Sequence, residues 1–148
     1  MSHKSQHNEY DKDFYAWSLH NAALIRAGKL SEVDLEHVAE EIESMGKGNK
    51  RELISRLSVL LAHLLKWKFQ SGRRGKSWEL TIQEQRFEVQ DLLDDSPSLK
   101  PELDEQLNHA YAKALIIAQK ETGFDRDIFP KFCPFSLKEA LQEKFFPK

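Results

Sequence analysis

A single cysteine, Cys133, stands among 148 residues, so no internal disulfide can form. A chain this long buries roughly 70% of its unfolded surface and needs no covalent staple to hold a core. The lone thiol suits a reducing compartment, and a cytoplasmic location is expected. Glycine and proline are scarce, at 6 and 5 residues, which is few for an all-β domain built on tight turns. An excess of one charge is missing too. Lysine and arginine number 22 against 24 acids, a formal net charge of −2, so the chain as a whole is not drawn to nucleic acid or anionic membrane. The longest apolar run, Val59–Leu65, is interrupted by His63 and is far too short to span a bilayer. Residues 1–8 are polar, and no secretory signal is expected there. Also absent are a P-loop, a nucleophile elbow, a cysteine–histidine framework and a matched pair of metal half-sites.

What is present is helical periodicity. Residues 1–9 read as a flexible tail, and residues 10–148 as one domain. From Asp11 to Ala27, Phe14, Trp17, Asn21, Leu24 and Ile25 recur at helical spacing, with Gly28 as a stop. Ser31 offers a cap for a second helix with Asp34 three residues on; Leu35, Val38, Ala39, Ile42 and Met45 form its stripe, and Gly46 ends it. A bend at Gly48-Asn49 leads to a third helix, Lys50 to Phe69, whose wide apolar surface marks it as the most buried. Residues 70–75 read as a loop. A fourth helix carries Trp78, Ile82, Gln85, Arg86, Val89, Leu92 and Leu93, and Pro97 closes it. A fifth starts near Pro101 and stops at Thr122-Gly123. Phe129 to Phe135 form an ordered apolar loop, and Ser136 with Glu139 is a capping-box pattern for a short helix to about Lys144. The expected fold is all-α: an up-and-down bundle of four to five main helices plus a short C-terminal helix.

The runs "DLEHVAEEIESMG", "HLLKW", "SW", "SPSL" and "CPFSL" together resemble a bacterial, largely cyanobacterial family, the twenty-ninth in the series of domains of unknown function. The resemblance covers about Tyr10 to Phe146. It implies an all-helical fold in a soluble protein and supplies no activity, cofactor or catalytic residue. It singles out Glu40, Glu41, Glu43, His63, Trp67, Trp78 and Arg86 as polar and aromatic positions of its motifs.

The residues themselves offer three kinds of chemistry. Six acids and no base lie between Glu32 and Met45; Glu36, Glu40 and Glu43 share the face opposite Leu35, Val38 and Ile42 and read as a solvated face. Glu41 borders the apolar stripe and needs a partner if buried. His37 with Glu40 and Glu41 suggests a metal site, as does Glu105 with His109, yet no matched second half-site appears, so neither a metal nor another cofactor is expected. His63 reads as a packed imidazole and Cys133 as a packed thiol. Arg86 lies on the inner side of its helix, where a guanidinium needs a carboxylate; Glu41 or Glu43 is the expected partner.

The third kind is a basic run. Lys66, Lys68, Arg73, Arg74 and Lys76 interleave with Trp67, Phe69 and Trp78, a pairing that can hold phosphates and stack bases. The leading expectation is nonetheless a helical interaction module without catalysis, binding a protein partner or a second copy of itself and no membrane. Nucleic-acid binding through 66–78 is the alternative, and a metal-dependent enzyme using helix-borne Glu and His the next.

Overall fold

The computed structural model describes residues 9–148. Residues 1–8 of the expected tail lie outside the described residues, and Glu9 opens a helical turn over 9–12. The fold is all-α: among the described residues there is no strand. Four long helices are α1 (Phe14–Arg26), α2 (Leu35–Phe69), α3 (Lys76–Asp95) and α5 (Leu107–Thr122). Two short ones are α4 (Leu99–Glu105) and α6 (Leu137–Leu141). Among the described residues, no helix is long and apolar enough to cross a membrane.

The chain divides into two compact units, Met1–Gly48 and Asn49–Lys148. In the N-terminal unit, Asp13 caps α1 by accepting from the Ala16 amide at 3.1 Å. Gly28 then takes φ +74°, a left-handed conformation that a side chain would strain. Leu30–Glu32 make one 3-10 turn, so Ser31 sits inside that turn and does not cap the helix that follows. α2 begins only at Leu35, where the Val38 amide reaches the Asp34 carbonyl at 3.0 Å.

The expected break at Gly46 and Gly48 does not occur. α2 is one helix of 35 residues. A helical glycine costs about 1 kcal/mol against alanine, which weakens a helix but does not stop it. Neither glycine takes the positive φ that a C-terminal cap would use.

The C-terminal unit is built on the later part of α2. Leu53, Leu57, Leu60, Leu61, Leu64 and Leu65 are at most 1% exposed. Burying a leucine stabilises by about 1.5–3 kcal/mol relative to leaving it in water, which makes this stretch the largest apolar contributor to the unit. Ile82 and Val89 of α3, Leu103 of α4, and Ala110, Ala114 and Ala118 of α5 close on the same core. The fifth expected helix is two. At Gln106 the amide donates to the Glu102 carbonyl at 3.0 Å and to the Leu103 carbonyl at 3.2 Å, so the last turn of α4 tightens before α5 restarts. Pro101 lies in the first turn of α4, where its missing N–H removes no helical bond.

Gly123, φ +75°, ends α5. The loop after it is ordered as expected. Phe129 and Phe135 are buried, and the Tyr111 hydroxyl donates to the Pro130 carbonyl at 2.6 Å. Burial pushes the Tyr111 hydroxyl up to about 12. The Ser136–Glu139 capping box is present, but α6 stops at Leu141 rather than near Lys144.

Candidate functional site

Two groups of polar side chains sit in the interior, one in each unit. In the N-terminal unit the centre is Asp34, 1% exposed. Its Oδ2 accepts from the Trp17 indole N–H at 3.0 Å and faces His37 Nδ1 at 2.7 Å. The backbone N–H of Asp34 donates to Asn21 Oδ1 at 2.8 Å, and Asn21 Nδ2 donates back to the Trp17 carbonyl at 3.0 Å. Trp17 and Asn21 are four residues apart on α1, and Asp34 and His37 three apart at the start of α2, so both pairs follow from helical spacing. The hydrogen bond His37 makes to the accepting Asp34 carboxylate, with Glu40 and Glu36 nearby, raises the His37 pKa above its ordinary value against the opposing effect of burial.

The His37 ring lies stacked on Tyr10, centroids 3.8 Å apart, and Tyr10 meets Trp17 edge-on at 4.8 Å. The Tyr10 hydroxyl donates to Glu41, which holds the phenol up at about 12. A carboxylate so placed fixes an imidazole's orientation and basicity, the arrangement a general base uses. Here both ring and carboxylate are also wedged among aromatics, and among the described residues the cluster supplies most of the unit's buried side chains.

In the C-terminal unit the centre is Arg86, 6% exposed. The expected carboxylate is not its partner. Nε donates to the Ala140 carbonyl at 2.7 Å, Nη1 to Glu143 at 3.0 Å and Nη2 to Phe145 at 2.6 Å. The Phe146 ring lies 5.5 Å from the guanidinium carbon. Ala140 lies in the last turn of α6, whose carbonyls lack helical N–H partners, Glu143 and Phe145 lie in the segment just beyond it, and a planar donor fork satisfies all three carbonyls at once. Burial lowers the Arg86 pKa to about 10. Glu41 goes to Tyr10 instead.

The remaining expected residues do not gather into one site. Glu40 and Glu43 are exposed on α2. His63 is half-buried and donates from Nδ1 to the Val59 carbonyl at 3.0 Å; burial lowers its pKa. Cys133 bonds the Phe135 carbonyl at 3.2 Å, and burial raises its thiol pKa. Glu105 and His109 both face solvent. Among the described residues, no three His, Cys, Asp or Glu side chains are grouped to hold a metal ion.

The basic run is divided as well. Lys66 is buried, bound to Glu121 at 2.6 Å, with its ammonium 4.7 Å from the Trp78 ring centroid. Arg74 covers Trp67 at 5.3 Å and donates to the carbonyls of Trp67 and Pro147. Trp67 in turn packs on Phe146 at 4.9 Å. Lys68, Arg73 and Lys76 are exposed.

Asp34, Trp17, Asn21 and Tyr10 did not stand out as a set in the sequence. The available signal is the i,i+3 spacing of Asp34 and His37; the sequence pattern instead sets Asp34 with Ser31 at a helix start and His37 with Glu40 and Glu41. A family model described as a domain of unknown function, DUF29, matches residues 9–146. The chain belongs to the DUF29 family. No curated protein and no solved structure matches it significantly. The family description assigns no function.

Proposed function

We propose that the protein is a non-catalytic helical interaction module that docks a protein partner on its N-terminal unit. The observation carrying this is the exposed apolar surface at the start of α2. Leu35, Ile42 and Met45 are 60%, 60% and 64% exposed. Phe14, Tyr15, Leu19, Ile25 and Leu30 add five more exposed large side chains within the same short unit. Scattered exposed hydrophobics are ordinary, but a concentration of them on one small unit marks a contact surface. The basic segment gives less support to nucleic-acid binding, because Lys66 and Arg74 already serve Glu121 and backbone carbonyls. Self-association falls under the same reading, with a second copy as the partner.

The test is site-specific photo-cross-linking in cells. A photoreactive phenylalanine analogue replaces Ile42 in one sample and Phe87, 68% exposed on α3, in another. The expected result is a covalent adduct to a polypeptide at position 42 well above that at position 87. Equal yields, or no adduct at 42, overturn the reading.

A further inference from the structure

We infer that the occupant of this face is a cationic amphipathic helix of a partner protein, an inference that rests on the interaction reading above. On α2, Leu35, Ala39, Ile42 and Gly46 follow one another at intervals of four, three and four residues, and all are exposed. That spacing draws one stripe along a helix, three turns and about 18 Å long. It is the seam that a second helix packs against. Val38 is half-buried, so the exposed stripe is turned toward Ala39 relative to the one read from sequence. A Cβ added at Gly46 would meet nothing within 4 Å, so the seam is uncovered there and a helix can approach closely.

The charges beside the seam select the partner. Glu36, Glu40 and Glu43 repeat the same spacing one residue further on, so they border the stripe rather than oppose it. Among the described residues, none of the three makes an ion pair. An apolar stripe edged by three unpaired carboxylates complements a helix whose own apolar stripe is edged by lysine or arginine. The same carboxylates repel nucleic acid and anionic lipid. A second copy that laid Leu35 on Gly46 and Ala39 on Ile42 would run antiparallel and set acid beside acid, which like-charge contact disfavours.

The test uses two synthetic 18-residue helical peptides. One has leucines at i, i+3, i+4 and i+7 with lysine elsewhere; the other carries glutamate at every lysine position. Binding to the full chain is read by fluorescence anisotropy. The leucine–lysine peptide is expected to bind, to weaken as salt rises, and to lose at least about tenfold in affinity with Ile42→Asp and with Glu36→Gln/Glu43→Gln together. Both variants alter exposed side chains, and unchanged circular dichroism verifies their fold. Equal binding of the leucine–glutamate peptide, or leucine–lysine binding untouched by Ile42→Asp, overturns the inference. Sedimentation of the purified chain separates the two readings. A dimer that Ile42→Asp converts to monomer overturns the cationic partner yet leaves the interaction reading intact.

Discussion

The two units solve the problem of an interior in opposite ways. In the C-terminal unit, leucines, alanines and aromatics close around the later part of α2, and the buried charges Arg86 and Lys66 lie in or beside that apolar mass. Among the described residues of the N-terminal unit the buried ones are Trp17, Asn21, Val33 and Asp34, half of them polar. Hydrogen bonds contribute only about 0.5–1.5 kcal/mol each once competition with water is counted, whereas apolar burial accumulates with area. The N-terminal unit is therefore specified by direction more than held by burial, while eight of its large hydrophobics stay outside. The comparison teaches where a partner gives most: to the unit whose apolar surface is still in water.

The largest expected effect sharpens the C-terminal side of that comparison. Arg86→Ala strands the Ala140, Glu143 and Phe145 carbonyls, and chemical denaturation should show a loss of about 3 kcal/mol or more, since each buried acceptor left without a donor costs about 1–3 kcal/mol. Arg86→Lys should recover only part of it, because an ammonium cannot reach three carbonyls as a planar fork does. Wild-type stability in Arg86→Ala would mean that the last residues contribute nothing to the unit.

A smaller effect belongs to the N-terminal side. Asn21→Ala leaves the buried Asp34 N–H without its acceptor, a cost of about 1–3 kcal/mol. Hydrogen exchange should place that loss in residues 9–48 and leave the protection of 53–65 as it was. Equal losses in both stretches would break the contrast between the units.

Much of the fold was legible because the apolar period carries it. Leu53 to Leu65 announced a buried helix, and Gly123 and Ser136 announced where α5 ends and α6 begins. The differences share one cause: a local signal does not carry the energies that compete with it. Gly46 carries a stop signal, though a helix absorbs its cost. Arg86 calls for a carboxylate by its place on the helix, though the carbonyls that bind it come from 54 to 59 residues away, a separation no local pattern encodes. Of the polar cluster, the sequence pattern picks out His37 but not Asp34 beside it, because burial and not spacing makes that aspartate significant.

Gly48 offers a prediction of opposite sign. It is helical, and a Cβ there meets nothing within 4 Å. Gly48→Ala should therefore raise stability by about 0.5–1 kcal/mol, chiefly by restricting the unfolded chain, with denaturation as the measurement. A loss would mean that α2 needs a yielding backbone at that position.

The smallest effect is a slope with pH, and the two units should tilt in opposite directions. His37 has a pKa raised chiefly by its bond to Asp34, with Glu40 and Glu36 adding to it. Its contribution is full below the unfolded value of about 6.5 and is lost as pH rises through the raised folded value. His63 has a pKa lowered by burial, with Lys66 adding to the shift and the Val59 carbonyl and Glu121 opposing it. Its neutral ring is favoured in the fold, so its contribution is full above about 6.5 and is lost as pH falls toward the lowered value. Acidification from neutral pH should thus favour the N-terminal unit through His37 and weaken the C-terminal unit through His63. His37→Gln should remove the first trend and His63→Gln the second, each read from denaturation across pH 5.5 to 8 as a change in slope. If both substitutions shift the slope in the same direction, the Asp34 carboxylate is not holding an imidazolium, and the N-terminal cluster is a neutral hydrogen-bonded wedge rather than a charged one.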